Sequence, residues 1–443
     1  MLLEYFTDPV LRAPTIGSML MCLASSLIGV IVFIRKKSLL GEALSHAAYP
    51  GVVLSTVVTA SLFPGSDNII AIAVLIGAFI FSLLGLWTID LMERHLKVKN
   101  DAALCFVLSA FFGVGILIAS RIQSTHALWY KQIQIFLYGQ AATMTDIHIL
   151  IYGLLCVFTL AVLFLFYRQI EVINFDRAFG KSVGIRVQQI DILLFLLLSL
   201  AIVIGIRCVG VVLMSGMLIA PPVAARQFSN RLWLVFGLSG FFGLLSGFFG
   251  NYLSMEIPIW SGHSEGIGKF SLPTGPMIIL SASSMCILAL LFAPRTGLTT
   301  RFCRLARFRY QCILENLLKC LWKKGPALSF SIQEISCIQQ NSRLLLKFFL
   351  RRLMSQGWME QTETGYRLTS AGQRRAARIV RLHRLWEVYL VDYLGHKVEK
   401  VHRNAEEMEH VITPELEKEL TELLQDPKQD PHQQPIPERE VLT

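Results

Sequence analysis

The sequence predicts an all-α polytopic membrane domain of eight or nine transmembrane helices, then a winged helix-turn-helix domain, then a last helical domain. Three observations predict this. Of 443 residues, 53% are hydrophobic and 16% are charged, and the mean hydropathy is +0.54, which excludes an ordinary soluble protein. Apolar runs fill residues 16–293, and charge concentrates after Pro294. The charged part is itself divided, with Lys and Arg dominating residues 301–381 and acids outnumbering bases from Glu387 onward. A basic stretch beside an acidic one points to a polyanion-binding surface next to a cation-binding one.

A crossing takes about 20 apolar residues, because the hydrocarbon core is about 30 Å thick. Runs that qualify are 16–34, 40–62, 69–89, 102–120, 147–167, 190–206, 208–225, 232–253 and 274–293. The sixth and seventh nearly touch at Arg207, so the count is eight or nine. Basic loops carry Arg35, Lys36 and Lys37; Arg94, Lys97 and Lys99; Arg168, Arg177, Lys181 and Arg186; Arg226 and Arg231. They alternate with less basic loops, and the positive-inside rule places them in the cytoplasm. Nine spans then put the amino end outside and the segment after Pro294 inside. Residues 1–14 lack a basic n-region and a cleavage site, so the first run is expected to be retained. Five of nine cysteines lie in apolar runs and the rest lack C-x-x-C spacing, so no disulfide framework is expected. Gly243 and Gly247 share a helix face and allow close helix packing.

Two membrane-half motifs carry chemistry. In Gly41-Glu42-Ala43-Leu44-Ser45-His46-Ala47, Glu42 and His46 are four apart and share one helix face. His46 lies about 14 Å along a helix from Lys37. Ionisable groups at that depth are costly unless paired or facing a polar path, and both are acceptable ligands for a divalent cation. The second is the polar loop with Phe175, Asp176, Gly180 and Gly184 between two long spans. Pro221-Pro222 marks a kink in the seventh run. Gly262-His263-Ser264-Glu265-Gly266-Ile267-Gly268-Lys269 imitates a phosphate loop, but with wrong spacing and no Ser or Thr after the Lys. No ATP site is expected in this chain.

Residues from about 15 to 295 resemble the permease subunit of ABC importers for zinc, manganese and iron. The family's Gly-Asp-Ala-Leu-Ser-His-Ala motif stands here with Glu42 in place of Asp and His46 kept. Its cytoplasmic loop resembles Phe175, Asp176 and Gly184. Its Pro-Ala-Ala-Thr-Ala segment resembles Pro221-Pro222-Val223-Ala224-Ala225, and Leu272-Pro273-Thr274-Gly275-Pro276 also fits. The resemblance implies that Glu42 and His46 line the metal path and that the Phe175 loop docks an ATPase. It also implies an extracytoplasmic metal-binding protein, a second permease subunit (homo- or heterodimer) and an inner-membrane lipid setting.

In the soluble half, residues 301–324 read as a basic amphipathic helix stopped by Gly325-Pro326. Ser331 and Glu334 have capping-box spacing at the start of a short helix. A turn near Gln340 and Asn341 leads to a second helix carrying Ser342, Arg343, Lys347, Arg351 and Arg352, whose cations and polar groups suit DNA. Thr362-Glu363-Thr364-Gly365 is a hairpin signature, completing a winged helix-turn-helix. Beyond it, His383 and Glu387 are i, i+4, and His402, Glu406 and His410 repeat every fourth residue with Glu409 beside them. Nitrogen and carboxylate sets of this kind suit Mn(II), Fe(II), Co(II) or Zn(II). Leu416, Leu420, Leu423 and Leu424 form an apolar stripe suited to dimerisation or core packing.

Residues from about 310 to 437 resemble the iron-dependent repressor family, which includes the diphtheria toxin repressor and manganese transport regulators. His383-Arg384-Leu385-Trp386-Glu387, the block from Val401 to His410, and Asp430-Pro431-His432-Gln433-Gln434-Pro435-Ile436-Pro437 carry the resemblance. It implies a regulatory site at Glu406, Glu409 and His410, with Cys312 and Glu315 linking metal to the DNA-reading helix. Cys312 departs from the family's Met or Asp. It also implies an ancillary site at His383, Glu387 and His402, with His383 joining the main site in the manganese type. The family's SH3-like third domain is expected to be absent, and its ligands with it.

Together these resemble the fused permease–repressor of some obligate intracellular bacteria. The expected domains are a permease (1–295), a cytoplasmic linker (296–309), a winged helix-turn-helix (310–375) and a metal-binding and dimerisation domain (376–443). The expected cofactor is a divalent metal, Fe(II) or Mn(II) first and Zn(II) next, and the expected partners include operator DNA. Cleavage between Pro294 and Arg309 is expected to release the reader. Two alternatives stay open: a non-transporting membrane sensor, and a cytosolic metal gate that does not bind DNA.

Overall fold

The computed structural model describes residues 3–63, 67–261, 272–339 and 343–438. The phosphate-loop imitation, the turn at Gln340 and Asn341, and Ser342 lie outside the described residues. The chain forms two compact units, Met1–Arg301 and Phe302–Thr443.

The first unit is helical: α1 (Glu4–Thr7), α2 (Pro9–Ile34), α3 (Ser38–Leu62), α4 (Asp67–Arg94), α5 (Asn100–Thr125), α6 (Ala127–Tyr138), α7 (Asp146–Phe175), α8 (Arg177–Ser182), α9 (Val187–Val209), α10 (Met214–Phe228), α11 (Leu232–Ser261) and α12 (Thr274–Phe292). Starts follow capping chemistry. Asp8 accepts from Val10 N at 2.7 Å ahead of Pro9, and Thr145 with His148 closes a capping box on α7. Among the described residues, eight helices are long and apolar enough to cross a membrane.

The seventh apolar run is the exception. It forms α10, of 15 residues, only about 22 Å long at 1.5 Å per residue. The nine-span topology therefore depends on α10 making the return together with the turn that precedes it. That turn is anchored. Gly210, at φ +96°, follows α9, Val211 N donates to Phe136 O at 3.0 Å, and Gln140 N donates to Arg207 O at 3.0 Å. The ends of α6 and α9 thus satisfy each other's backbone groups, which burial away from water requires.

α2 and α3 are the most enclosed spans, with 72% and 78% of their apolar windows buried, so the unit is built around the helix that carries Glu42 and His46. α11 packs closely on α2. A Cβ on Gly243 would lie 2.4 Å from Ser26 Oγ, and one on Gly247 would lie 2.8 Å from Ser18 O. Small residues are required there for backbone approach.

The second unit contains most of α13 (Leu298–Lys324), then α14 (Ile332–Gln339), α15 (Arg343–Ser355), the antiparallel strands β1 (Met359–Thr362) and β2 (Gly365–Leu368), α16 (Ser370–Asp392), α17 (Val398–Met408) and α18 (Pro414–Leu423). The hairpin pairs Met359 with Leu368 and Thr362 with Gly365. Ser331 and Glu334 bond reciprocally at 2.7 and 3.3 Å, so the capping box opens α14. One core gathers Leu314, Leu317, Leu318, Leu321, Ile335, Leu346, Leu350, Leu353 and Leu368.

Two expected boundaries fall inside helices. Residues 296–309 are helical from Leu298, because α13 runs unbroken through them. The 375/376 division falls inside α16, whose Ala376 packs with the hairpin core while Leu382 and Leu385 serve the last helices. Of the leucine stripe, Leu416 and Leu420 pack on Leu382, and Leu424 on Leu385 and Val388. Leu423 is 45% exposed.

Candidate metal centre and transport path

Thr369 caps α16 by accepting from Gly372 N at 3.1 Å. The buried face of this helix then places His383 and Glu387 one turn apart, 3% and 1% exposed. α17 brings His402 against them. His383 Nε2 lies 3.2 Å from Glu387 Oε1 and 3.0 Å from His402 Nδ1, and His402 Nδ1 lies 2.9 Å from Glu387 Oε1. These three donor atoms border a cavity of about 320 Å³ that Lys323, Arg384, Asp430 and His432 also line. A tetrahedral ion with bonds near 2.1 Å needs donors roughly 3.4 Å apart. The triangle is a few tenths tighter and offers two nitrogens and one carboxylate, so it fits a divalent transition metal.

A second layer lies behind it. His383 Nδ1 donates to Glu409 Oε2 at 2.5 Å, which fixes the ring and turns Nε2 toward the triangle. Lys319 Nζ donates to both Glu409 oxygens, at 2.9 and 2.7 Å. Further along, His410 Nδ1 donates to Glu315 Oε2 at 2.7 Å, and Arg375 Nη2 to Glu315 Oε1 at 2.6 Å.

The charges follow from these contacts. Burial works to raise the Glu387 pKa, but hydrogen bonds from His383 and His402 override it and hold the carboxyl at about 2. Glu409 and Glu315 are likewise held below the ordinary carboxylate range against the effect of burial, by His383 and Lys319 in one case and by His410 and Arg375 in the other. Burial works to lower the His383 pKa, but its bonds to Glu387 and Glu409 prevail and the net shift is upward. Burial, with the nearby Glu315 charge, pushes the Cys312 thiol up, which disfavours the thiolate that binds metal.

The expected regulatory residues are thus partly gathered. Glu315, Glu409 and His410 converge, and Glu409 and His410 approach to 3.5 Å. Glu406 turns instead to His402, at 3.5 Å, and is 53% exposed. Cys312 is half-buried on α13, and among the described residues no hydrogen bond joins it to Glu406, Glu409 or His410. On α15, Lys347, Arg351 and Arg352 are exposed; the Arg343 side chain lies outside the described part.

In the first unit, His46 is 7% exposed. Its Nδ1 has no hydrogen-bond partner, and its ring meets Phe112 edge-on with centroids 4.5 Å apart. Glu42 is half-buried one turn earlier. Among the described residues they form no hydrogen bond or ion pair with each other, so mutual pairing does not explain their burial. At the loop, Phe175 is 92% exposed. Asp176 caps α8 by accepting from Ala178 N at 2.8 Å and Phe179 N at 3.2 Å. Gly184 ends it at φ +84°, where a side chain would be strained.

Several participants were not singled out from sequence: Lys319, Arg375, Asn316, whose Oδ1 lies 3.2 Å from His410 Nε2, and Asp191, which binds both Arg35 (2.7 Å) and Arg177; His432 was read only as part of the Asp430–Pro437 motif. Lys319 was readable as a lone cation among Leu317, Leu318 and Leu321. The others depend on tertiary contacts.

Residues 7–293 match the ABC 3 transport family. The chain belongs to that family. Residues 369–438 match the metal binding and dimerisation domain of the iron dependent repressors. A probable metal transport system membrane protein of Chlamydia trachomatis serovar D is 35% identical over 441 residues, covering 98% of this chain and 97% of that protein. The manganese transport system membrane protein MntC of Bacillus subtilis (strain 168) is 33% identical over 378 residues, covering 85% and 82%. The solved structure of PsaBC from Streptococcus pneumoniae in complex with Fab aligns with TM-score 0.56 and 24% identity, over 69% of this chain and 98% of that one, a likeness of fold. The molecule is a multi-pass metal importer permease carrying a repressor-type metal-binding domain. ATP hydrolysis belongs to a separate subunit, and a substrate-binding protein delivers the cargo.

Proposed function

We propose that a divalent transition metal passes along α3, contacting Glu42 and His46, and that cytosolic metal then engages the second unit to control DNA binding. The observation that carries the transport half is the buried, unpartnered His46 Nδ1 one turn from Glu42. The observation that carries the regulatory half is the His383, Glu387 and His402 triangle, joined through Glu409 and His410 to Glu315 on α13.

The exposed Phe175, the Asp176 cap and the Gly184 exit present α8 as a short rigid knob suited to docking the ATPase. Asp191 ties that knob, through Arg177, to Arg35 at the end of α2. Arg35 stands just ahead of the helix that carries Glu42.

In the second unit, α13, α14, α15 and the hairpin have the order of a winged helix-turn-helix, with the exposed Lys347, Arg351 and Arg352 available to operator DNA and Arg343 assigned to the same role from its place in the sequence. His383, Glu387 and His402 would hold the ion, whose charge stabilises the DNA-competent state by binding it more tightly. Fe(II) and Mn(II) fit the nitrogen and carboxylate donors, and Zn(II) does so too. A second permease subunit completes the pore, and basic residues flanking the spans meet membrane lipid. Because a tethered reader searches little DNA, release by cleavage between Pro294 and Arg309 belongs to this reading. An immunoblot of cells showing only the full-length species contradicts release.

The deciding experiment is uptake of radioactive Mn(II), presented on the substrate-binding protein, by proteoliposomes holding the permease and its ATPase. Loss in Glu42→Gln and His46→Ala with ATPase association intact supports the path; unaltered uptake refutes it.

A further inference from the structure

Lys319 stands on the buried face of α13 among Leu317, Leu318 and Leu321. Its ammonium touches both oxygens of Glu409, at 2.9 and 2.7 Å, and lies 3.2 Å from His383 Nδ1. The two charged side chains are 6% and 0% exposed. A buried carboxylate demands a cation, because water is excluded and the local dielectric is low. In this chain a covalently attached side chain supplies it.

We propose that Lys319 is a tethered cation that closes the Glu409 corner to divalent metal, so that the second unit takes its ion at His383, Glu387 and His402 alone. This rests on reading that unit as a metal-responsive regulator.

The geometry supports the division. A divalent ion on Glu409 would share one carboxylate with an ammonium, and like charges at that separation repel strongly in a dry interior. Three other ligand-type groups nearby are engaged elsewhere. His410 is bonded to Glu315, Glu315 also to Arg375, and Glu406 turns to His402. Glu409 then serves as a positioning residue. It accepts a hydrogen bond from His383 Nδ1 and leaves Nε2 to face Glu387 and His402, the usual outer-shell arrangement for a metal-binding imidazole.

The test uses the full-length chain in lipid nanodiscs equilibrated with Mn(II). Bound ions are counted after free ion is removed, and electron paramagnetic resonance reports whether two ions lie close enough to couple. Lys319→Met is expected to bind about one more ion per chain than wild type, and Glu409→Gln in that background to abolish the gain. Lys319→Arg, which keeps the positive charge, is expected to bind as wild type does. Wild type is expected to show no spin-coupled pair.

A folded Lys319→Met with the wild-type count overturns the proposal, as does a coupled pair in wild type. If Lys319→Met does not fold, the wild-type spectrum decides: a coupled pair overturns the proposal and its absence supports it. An unchanged count in His402→Ala contradicts the metal-regulator reading itself, independently of Lys319.

Discussion

His410 Nδ1 donates to Glu315 Oε2 at 2.7 Å across a sequence separation of 95 residues. Direct side-chain contact therefore joins α13, whose leucines belong to the hydrophobic core with the hairpin, to the segment just past α17, which carries ligand-type residues. A change at His410 therefore acts directly on the helix whose leucines pack with α14, α15 and the hairpin in one core.

Replacing Glu315 with Ala should strip Arg375 and His410 of their shared partner. Breaking a buried charged cluster by removing one member costs about 3–5 kcal/mol. Thermal unfolding should show a large loss for Glu315→Ala and a smaller one for Glu315→Gln. Equal stability of Glu315→Ala and wild type would mean the contact contributes nothing.

Metal affinity should rise with pH across the titration of His383. Its folded pKa is raised, so its contribution to stability without metal is full below the unfolded value, about 6.5, and is lost as pH rises through the folded value. Metal needs the unprotonated Nε2, so binding opposes the proton and releases it. Glu387, held at about 2, contributes stability above the ordinary carboxylate range and loses it as pH falls toward that value. Calorimetry in buffers of different ionisation enthalpy should detect the released proton; buffer-independent heats would contradict this.

His46→Ala should separate transport from stability. The ring has an unpartnered Nδ1 and meets Phe112 edge-on, so the variant loses packing but no Nδ1 hydrogen bond, and its unfolding should shift no more than another buried large-to-small change. Uptake should fall by more than the roughly 10–100-fold that losing an outer-shell metal partner costs. A variant that unfolds early while its folded fraction still transports would assign His46 to packing.

Asp176 and Asp191 should give different defects. Asp176→Ala removes the cap of α8, worth about 0.5–2 kcal/mol, and should weaken co-purification with the ATPase. Asp191→Asn keeps the exposed knob but loosens its tie to Arg35, so association should persist while uptake falls. Identical phenotypes would remove Asp191 from the coupling route.

Much of this was legible in the sequence. Apolar length located the long spans, and the Ser331–Glu334 spacing and the Thr362–Gly365 turn located α14 and the hairpin. Those signals are local. The shortness of α10 was hidden because an apolar run does not reveal where a buried turn interrupts it, here at Gly210. In the site, the i, i+4 spacing of His383 and Glu387 placed both on one face. No spacing could show that Glu406 turns to His402 while Glu409 is taken by Lys319, because those choices are made between helices far apart in sequence.

The central claim is that metal on the second unit governs DNA binding, and its most direct test is operator binding by residues 302–443 titrated with Fe(II), Mn(II) and Zn(II). Metal should tighten binding at least about tenfold, which corresponds to about 1.4 kcal/mol of differential affinity, and His402→Ala should abolish the gain. Equal binding with and without metal, or no binding under either condition, would contradict the account.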